Sequence, residues 1–470
     1  MSIPAVPAAS FTFSDRPVEI TTSTGLLSGD AGLLPIRQLD ERLDFTAQLA
    51  AAIDDPRDPT RVEHSLPEML RARLYGILAG YEDQNDHDLL RTDPVFKLVV
   101  GRSPEGDDLA SQPTLSRFEN AVSIKSLKRL RDVFIDQFIR SFSTPPRHLL
   151  FDLDAVDDPT HGHQQLTLFH GYYEQYQYLP LIITCEQNDA VVMASLRHGT
   201  AHAALGADDD LEYLVGRLRA VWPNVQIEVR GDAGFGMPWM YEVCERLVLT
   251  YTFGLAGNAV LYRRSAALLA RAELQFVATG QPQRLFDTFL YQAEEWPAAR
   301  RVVVKAEANA HGTNRRFVVT NRGGAGMYPE AAYDEYVMRG ESENRNKELK
   351  VGLAADRLSN HRFMANYFRL YLHCAALNLL IRLRQCVALP AEDAQVGPRP
   401  VAAAERRRGH NARRRRDPLG EGQPATWRRL LIKAAAEVVV SCRRIVVRLS
   451  ASWPYREFYQ RVCAVVSGVG

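Results

Sequence analysis

The sequence predicts a multidomain α/β protein, with an all-helical domain in front of a mixed sheet flanked by helices. Three observations carry that expectation. At 470 residues the chain is too long for one ordinary hydrophobic core, so several domains are expected. Up to residue 145 the apolar residues recur at helical spacing. Beyond Pro145 and Pro146, short aromatic and β-branched runs alternate with helix-compatible segments. The expected divisions are 1–145, a helical N-terminal domain; 146–255, the first part of the α/β core; 256–330, a β-rich insertion; 331–386, the second part of the core; 387–426, an Arg/Pro-rich linker; and 427–470, a basic C-terminal segment.

Within the first division, Leu39, Leu43, Phe45, Leu49 and Ile53 approximate a helical stripe. Pro67 suits the first turn of a second helix, SLPEMLRARLYGILAGYED. A third helix begins near Thr114, and a fourth carries Leu127, Leu130, Phe134 and Phe138 along one face. Ser111, Thr114, Ser116, Arg117 and Asn120 gather near one helix start, an arrangement that can make phosphate and base contacts to DNA; an ordinary exposed helix end would look the same.

HLLFDLDAVDD reads as a strand, with Phe151 and Leu153 on one side and Asp152 and Asp154 on the other. Two further segments, HGYYEQYQYLPLIITCE and VVMASLRHG, read as an antiparallel continuation. After the helix-compatible DDLEYLVGRLRAVWP comes a strand that ends on Asp232, where glycines begin. Carboxylates at strand ends lie where ligands bind in open α/β sheets. ELQFVAT, DTFLYQA, RRVVVKAEA and RRFVVTN read as the strands of the insertion. A long apolar helix over 360–385 should close the core.

Lys plus Arg number 57 against 56 Asp plus Glu, but from residue 401 onward there are 15 basic residues against 5 acidic ones. A basic end follows a mildly acidic body. The clusters Arg406, Arg407, Arg408 and Arg413, Arg414, Arg415, Arg416 should attract polyanions through counterion release, in a stretch whose Pro, Gly and Arg content predicts little order. Six scattered cysteines without zinc spacing predict reduced thiols. No leader and no long apolar run is visible, which predicts a cytoplasmic protein without membrane contact.

Residues 336–350, YVMRGESENRNKELK, are rich in helix formers. On a helical wheel Tyr336, Arg339, Glu343 and Lys350 share an arc of about 60°. A charged surface face has the same pattern, but the aspartates upstream suggest another reading. Asp154, Asp232 and Glu343 supply three carboxylates able to hold two divalent cations, Mg²⁺ or Mn²⁺ by their oxygen-only chemistry, for phosphoryl transfer. Arg339 and Lys350 would then grip phosphate oxygens, with Tyr336 donating its hydroxyl.

The spacing of Tyr336, Arg339, Glu343 and Lys350 resembles the YREK signature of bacterial insertion-sequence DDE transposases. FDLDAVDDPTHGHQ, FHGYYEQYQYLPL, RGDAGFG, RFVVTN and LASQPTLSRFEN are similar to the insertion sequence thirteen-eighty family in particular. Val156 stands where that family usually has threonine. The resemblance implies a ribonuclease H-like core with a metal-binding triad of Asp154, Asp232 and Glu343, with Asp152 the alternative first ligand. It also implies double-stranded DNA partners, namely the element's terminal inverted repeats and its target, a dimer on DNA, and cut-and-paste chemistry. In relatives that form a DNA hairpin, a tryptophan in the insertion stacks on an extruded base; Trp296 is the candidate here, with packing as its other role. A nuclease without strand transfer and a non-catalytic DNA-binding regulator are the alternatives.

Overall fold

The computed structural model describes residues 9–11, 16, 18–20, 23–389 and 403–468. Four of the helices before the central sheet are α1 (Leu33–Leu43), α2 (Leu66–Ala79), α3 (Gln112–Ala121) and α4 (Ile124–Arg140). Their ends follow from local chemistry. Ser65 caps α2 by accepting from the Glu68 amide, and Gly80 closes it at φ 95°. Ser123 caps α4, which turns Leu127, Leu130, Phe134 and Phe138 inward.

An eight-stranded sheet forms the centre. Its strands are β1 (His148–Ala155), β2 (Leu181–Cys185), β3 (Val191–Ser195), β4 (Gln226–Gly231), β5 (Thr250–Leu255), β6 (Gln283–Tyr291), β7 (Arg300–Asn309) and β8 (Gly312–Thr320). The spatial order is β6-β7-β8-β5-β4-β1-β2-β3. β1, β4 and β5 run parallel, whereas β2 is antiparallel to both β1 and β3. One face, carrying Leu149, Phe151 and Leu153, packs against α5 (Ala207–Val221) and α6 (Pro238–Arg246).

The span 256–330 holds three long strands but departs from expectation at its start. It opens with the helix Ala259–Arg264 and α7 (Ala266–Thr279), so ELQFVAT is helical. Its helical stretch, AALLARAELQFVAT, is dominated by alanine and leucine, which favour helix over strand. β6, β7 and β8 then pair onto β5 and extend the central sheet.

On the other sheet face lie α8 (Pro329–Val337), packed on β7 and β8 through Ala332 and Tyr333, and α10 (Phe363–Val387), packed on β2 and β3. Between them comes α9 (Ser342–Lys347). α10 is buried around most of its circumference because it separates the sheet from the first domain. The fully buried Glu119 on α3 accepts from Arg73 Nε of α2 at 2.7 Å and Arg369 Nε of α10 at 2.5 Å, binding the two regions together. Among the described residues no helix is long and apolar enough to cross a membrane.

The expected linker also differs in part from expectation. Residues 390–402 of the expected linker lie outside the described residues, but α11 (Ala403–Arg416) is helical. Arginine and alanine favour helix, and Arg413 finds a neutralising partner in Glu421 at 3.3 Å. The segment 427–470 folds into two strands and a helix. Strand Ala436–Val440 pairs with Leu26–Ser28 on one side and Ile445–Leu449 on the other, and α12 (Arg456–Ser467) packs against α1 and α10. Trp427 is fully buried there, because β-branched and aromatic residues interleaved with the arginines supply an inward face.

Candidate active site

A row of buried polar residues crosses the sheet beneath α8. Cross-strand register aligns Thr184, Asp152, Arg230, Thr252 and Thr320. Asp152 receives both Arg230 Nε and Nη2 at 2.8 Å, while Arg230 Nη1 donates to the Glu335 carbonyl at 3.0 Å. Burial pushes the Asp152 carboxyl up to about 6, against the pull of Arg230. Asp152 is thereby committed to holding β1, β4 and α8 together.

Asp154, two residues on and pointing to the same face, reaches the gap between α8 and α10. Its Oδ1 accepts from Arg339 Nη1 at 2.8 Å and its Oδ2 from Asn346 Nδ2 at 3.0 Å. The Arg339 Nη2 atom donates to Glu343 Oε1 at 3.1 Å. Asp232 follows the last residue of β4, and its Oδ1 accepts from the Gly234 amide at 2.8 Å. Although burial works against the charge of Arg339, Asp154, Tyr336, Asp232 and Glu343 together hold the guanidinium above its ordinary value. Arg339 is therefore shared between Asp154 and Glu343, with Asp232 within its electrostatic reach.

Tyr336 lies beside Gly254 of β5. A Cβ at Gly254 would stand 2.8 Å from the Tyr336 hydroxyl and 2.7 Å from the Ala233 amide nitrogen, so only glycine lets the phenol approach the turn that carries Asp232. Burial raises the Tyr336 hydroxyl, with Arg339 opposing and Asp232 reinforcing, which keeps it a hydrogen-bond donor. Lys350 Nζ donates to Asp157 Oδ1 at 2.9 Å. Next to Asp157, Asp158 is buried with no hydrogen-bond partner for either oxygen. Burial and Asp356 push the Asp158 carboxyl up, Lys350 opposes, and Asp157 adds to the rise.

The four signature residues do not share one straight helix. α8 ends at Val337, a 3₁₀ turn spans Met338–Glu341, α9 follows, and a π turn covers Glu348–Gly352. Gly340 and the packing of each piece against a different partner break the helix. The bends aim Arg339 at Asp154 and Lys350 at Asp157.

Among the described residues no three His, Cys, Asp or Glu side chains stand close enough to hold a metal ion. The donor chemistry nonetheless fits a hard divalent cation. Asp154 and Glu343 share one guanidinium and Asp232 stands within its electrostatic reach, which leaves negative charge in excess.

Other residues named from sequence lie elsewhere. Trp296 is 6% exposed, packed edge-on against Tyr241 and Tyr291 at 5.1 and 5.4 Å, so the structure gives it the packing role. Arg117 is exposed on α3, donating to Thr114 Oγ1 at 3.0 Å, and the Ser116 carbonyl accepts from Asn120. Arg413, Arg415 and Arg416 are exposed on α11, and the half-buried Arg414 borders a cavity with Arg345 and Arg384. The side chains of Arg406, Arg407 and Arg408 lie outside the described residues. Sequence reasoning missed Asn346, Asp157 and Gly254. Asn346 lay at about 280° on the helical wheel, at the edge of the polar arc, so a signal for it existed; Gly254 gave none.

A family model described as Transposase DDE domain group 1 matches residues 11–398. No curated protein matches the chain.

Proposed function

Because the chain belongs to the group 1 DDE-domain transposases, we propose that it binds the terminal inverted repeats of its own mobile element and moves that element by metal-dependent strand cleavage and strand transfer. The observation that carries this reading is that Arg339 bridges Asp154 and Glu343, with Asp232 at the end of β4 within its electrostatic reach. The strand order β3-β2-β1-β4-β5, with only β2 reversed, supports a ribonuclease H-like core extended by β6 to β8. The motifs quoted above support a place near the insertion sequence thirteen-eighty branch.

Asp154, Asp232 and Glu343 are the residues that would hold two Mg²⁺ or Mn²⁺ ions, whose chemistry when bound is to offset charge on the attacking and leaving oxygens of a phosphodiester. The chain's own groups do the positioning. Arg339, released from the carboxylates, presents a planar fork to two phosphate oxygens. Lys350 turns from Asp157 to the same phosphate as a point charge, and Tyr336 donates its hydroxyl. Asn346 keeps Asp154 oriented through its Oδ2. Cleavage at the element's end frees a 3′-hydroxyl, which is then the nucleophile toward target DNA.

Arg117 on the exposed face of α3 and Arg413, Arg415 and Arg416 on α11 are the candidates for contacts to flanking duplex. Two protomers would serve the two ends of one element. The test is Glu343→Gln with DNA carrying the element's termini and Mg²⁺: cleavage should fall at least a hundredfold with the fold intact, and cleavage at the wild-type rate refutes the proposal. Pre-cut 3′-hydroxyl ends that yield joined products separate a transposase from a nuclease.

A further inference from the structure

Beside the acidic site stands a small hairpin that the proposed chemistry does not use. Strands Leu168–His170 and Gln175–Tyr178 pair with each other, and the second also pairs with Asp158–Pro159. Large rings crowd its outer surface: Tyr172 is 84% exposed, Tyr176 59% and Phe169 51%, with Tyr173 partly shielded. Phe169 and Tyr176 meet edge-on at 5.5 Å, Tyr172 and Tyr173 edge-on at 5.0 Å, and His170 lies 5.0 Å from Tyr173. Edge-on contact leaves ring faces open to a further planar group.

The hairpin is held firmly at its base. A Cβ at Gly199 would lie 2.1 Å from the Gln177 carbonyl and 2.4 Å from that of Leu168, so the following loop presses directly on both strands. The fully buried Tyr178 donates its hydroxyl to the Gln165 carbonyl at 2.6 Å. The hairpin is also joined to the site. Gln175 Nε2 reaches Asp157 Oδ2 at 3.4 Å, and the other oxygen of Asp157 accepts from Lys350 at 2.9 Å. Burial raises the Tyr173 hydroxyl, and Asp157 and then Asp232 add to the rise, which places the ring within electrostatic reach of both.

Exposed rings on a braced support, one lysine away from a phosphate-handling site, fit a sequence-tolerant partner that offers planar faces linked by phosphates. We propose that the hairpin formed by Phe169, Tyr172, Tyr173 and Tyr176 is a stacking platform for unpaired nucleobases of the DNA strand whose phosphate lies at Lys350. This rests on the proposed DNA reading. Stacking on aromatic side chains suits any base, because every base has a π-face. Trp296 cannot serve this purpose without unpacking its surroundings.

The test compares three fluorescent probes with the full-length chain: a blunt duplex, the same duplex with a four-nucleotide single-stranded overhang containing 2-aminopurine, and that overhang with abasic sites in place of the bases. The wild type should bind the base-containing overhang about tenfold more tightly than the other two and change the 2-aminopurine emission. Tyr172→Ala combined with Phe169→Ala should lose that preference and that signal while binding the blunt duplex as before. Tyr172→Trp alone should keep both. A wild type that binds the base-containing and abasic overhangs equally overturns the platform but leaves the DNA reading standing, whereas failure to bind any probe overturns both. Self-association that disappears in the double variant, with the base preference unchanged, would assign the rings to a second copy of the chain and overturn the platform as well.

Discussion

Replacing Arg339 with alanine should tighten divalent-cation binding while sharply depressing cleavage, an unusual pairing for a substitution in an active site. Arg339 Nη1 holds Asp154 Oδ1 at 2.8 Å in a largely shielded position, and Nη2 holds the half-exposed Glu343 at 3.1 Å. A shielded charged hydrogen bond contributes about 1.5–3 kcal/mol and an exposed ion pair about 0–1 kcal/mol. A cation entering among the three carboxylates must displace these contacts. Removing the guanidinium should therefore raise apparent Mn²⁺ affinity by about 2 kcal/mol, about thirtyfold. Loss of a preorganised phosphate-binding donor should cost about a hundredfold in cleavage. Free Mn²⁺ counted by electron paramagnetic resonance on the DNA-free chain measures the first effect independently of activity. Unchanged or weaker Mn²⁺ binding in Arg339→Ala, with native circular dichroism, would refute the idea that the guanidinium occupies the cation's place.

Glu119→Gln should destabilise the protein by about 3–5 kcal/mol in urea, since Arg73 and Arg369 would be left as buried charges without their shared counterion; a loss below about 1 kcal/mol would show the cluster to be unimportant. His373 is buried beside Arg73 and Arg369, and burial lowers it from 6.5 to about 3 while its Nδ1 bonds the Leu353 carbonyl at 2.9 Å. Between those values the unfolded chain takes up a proton that the native state refuses, so stability falls as pH drops. From pH 7 to pH 5 this group alone should remove about 2 kcal/mol, and a flat urea midpoint over that range would contradict it. Gly254→Ala should cost about 1–3 kcal/mol through its collision with the Ala233 amide and the Tyr336 hydroxyl, and should depress cleavage of terminal DNA further than the stability loss explains; wild-type calorimetry and cleavage would disprove the contact.

The parts of the fold that alternation and helical periodicity encode were legible. Phe151 and Leu153 facing away from Asp152 and Asp154, and the inward stripe of α4, follow directly from residue spacing. What spacing could not encode was competition between partners. Asp152 and Asp154 look alike in sequence, and only the register with Arg230 on β4 separates a structural carboxylate from one that faces the gap. The polar arc of residues 336–350 identified Arg339 beside Asp154, yet its single-helix geometry was wrong, because the chain bends between α8, packed on β7 and β8, and the π turn, whose Leu349 enters the other core. The arginines of α11 read as tail chemistry because their compensating acid, Glu421, lies beyond the charged run. Within 256–330 the strand reading of ELQFVAT failed, because the short apolar run around Phe276 fits either a strand or a helix until its neighbours decide.

The pairing of Leu26–Ser28 with Ala436–Val440 also bears on how the molecule is made. The first domain buries Trp427 and Leu431 from the far end of the sequence, and Arg428 donates to the carbonyls of Ile77 and Leu78 at 2.9 Å. A ribosome must therefore finish nearly the whole polypeptide before the earliest helices can complete their packing, and such long-range closure slows folding. A nascent chain that already carries all three site carboxylates still lacks a sealed first domain. Release from the ribosome thus becomes a timing step, and the interval before closure is when chaperones and proteases have their best access to the protein.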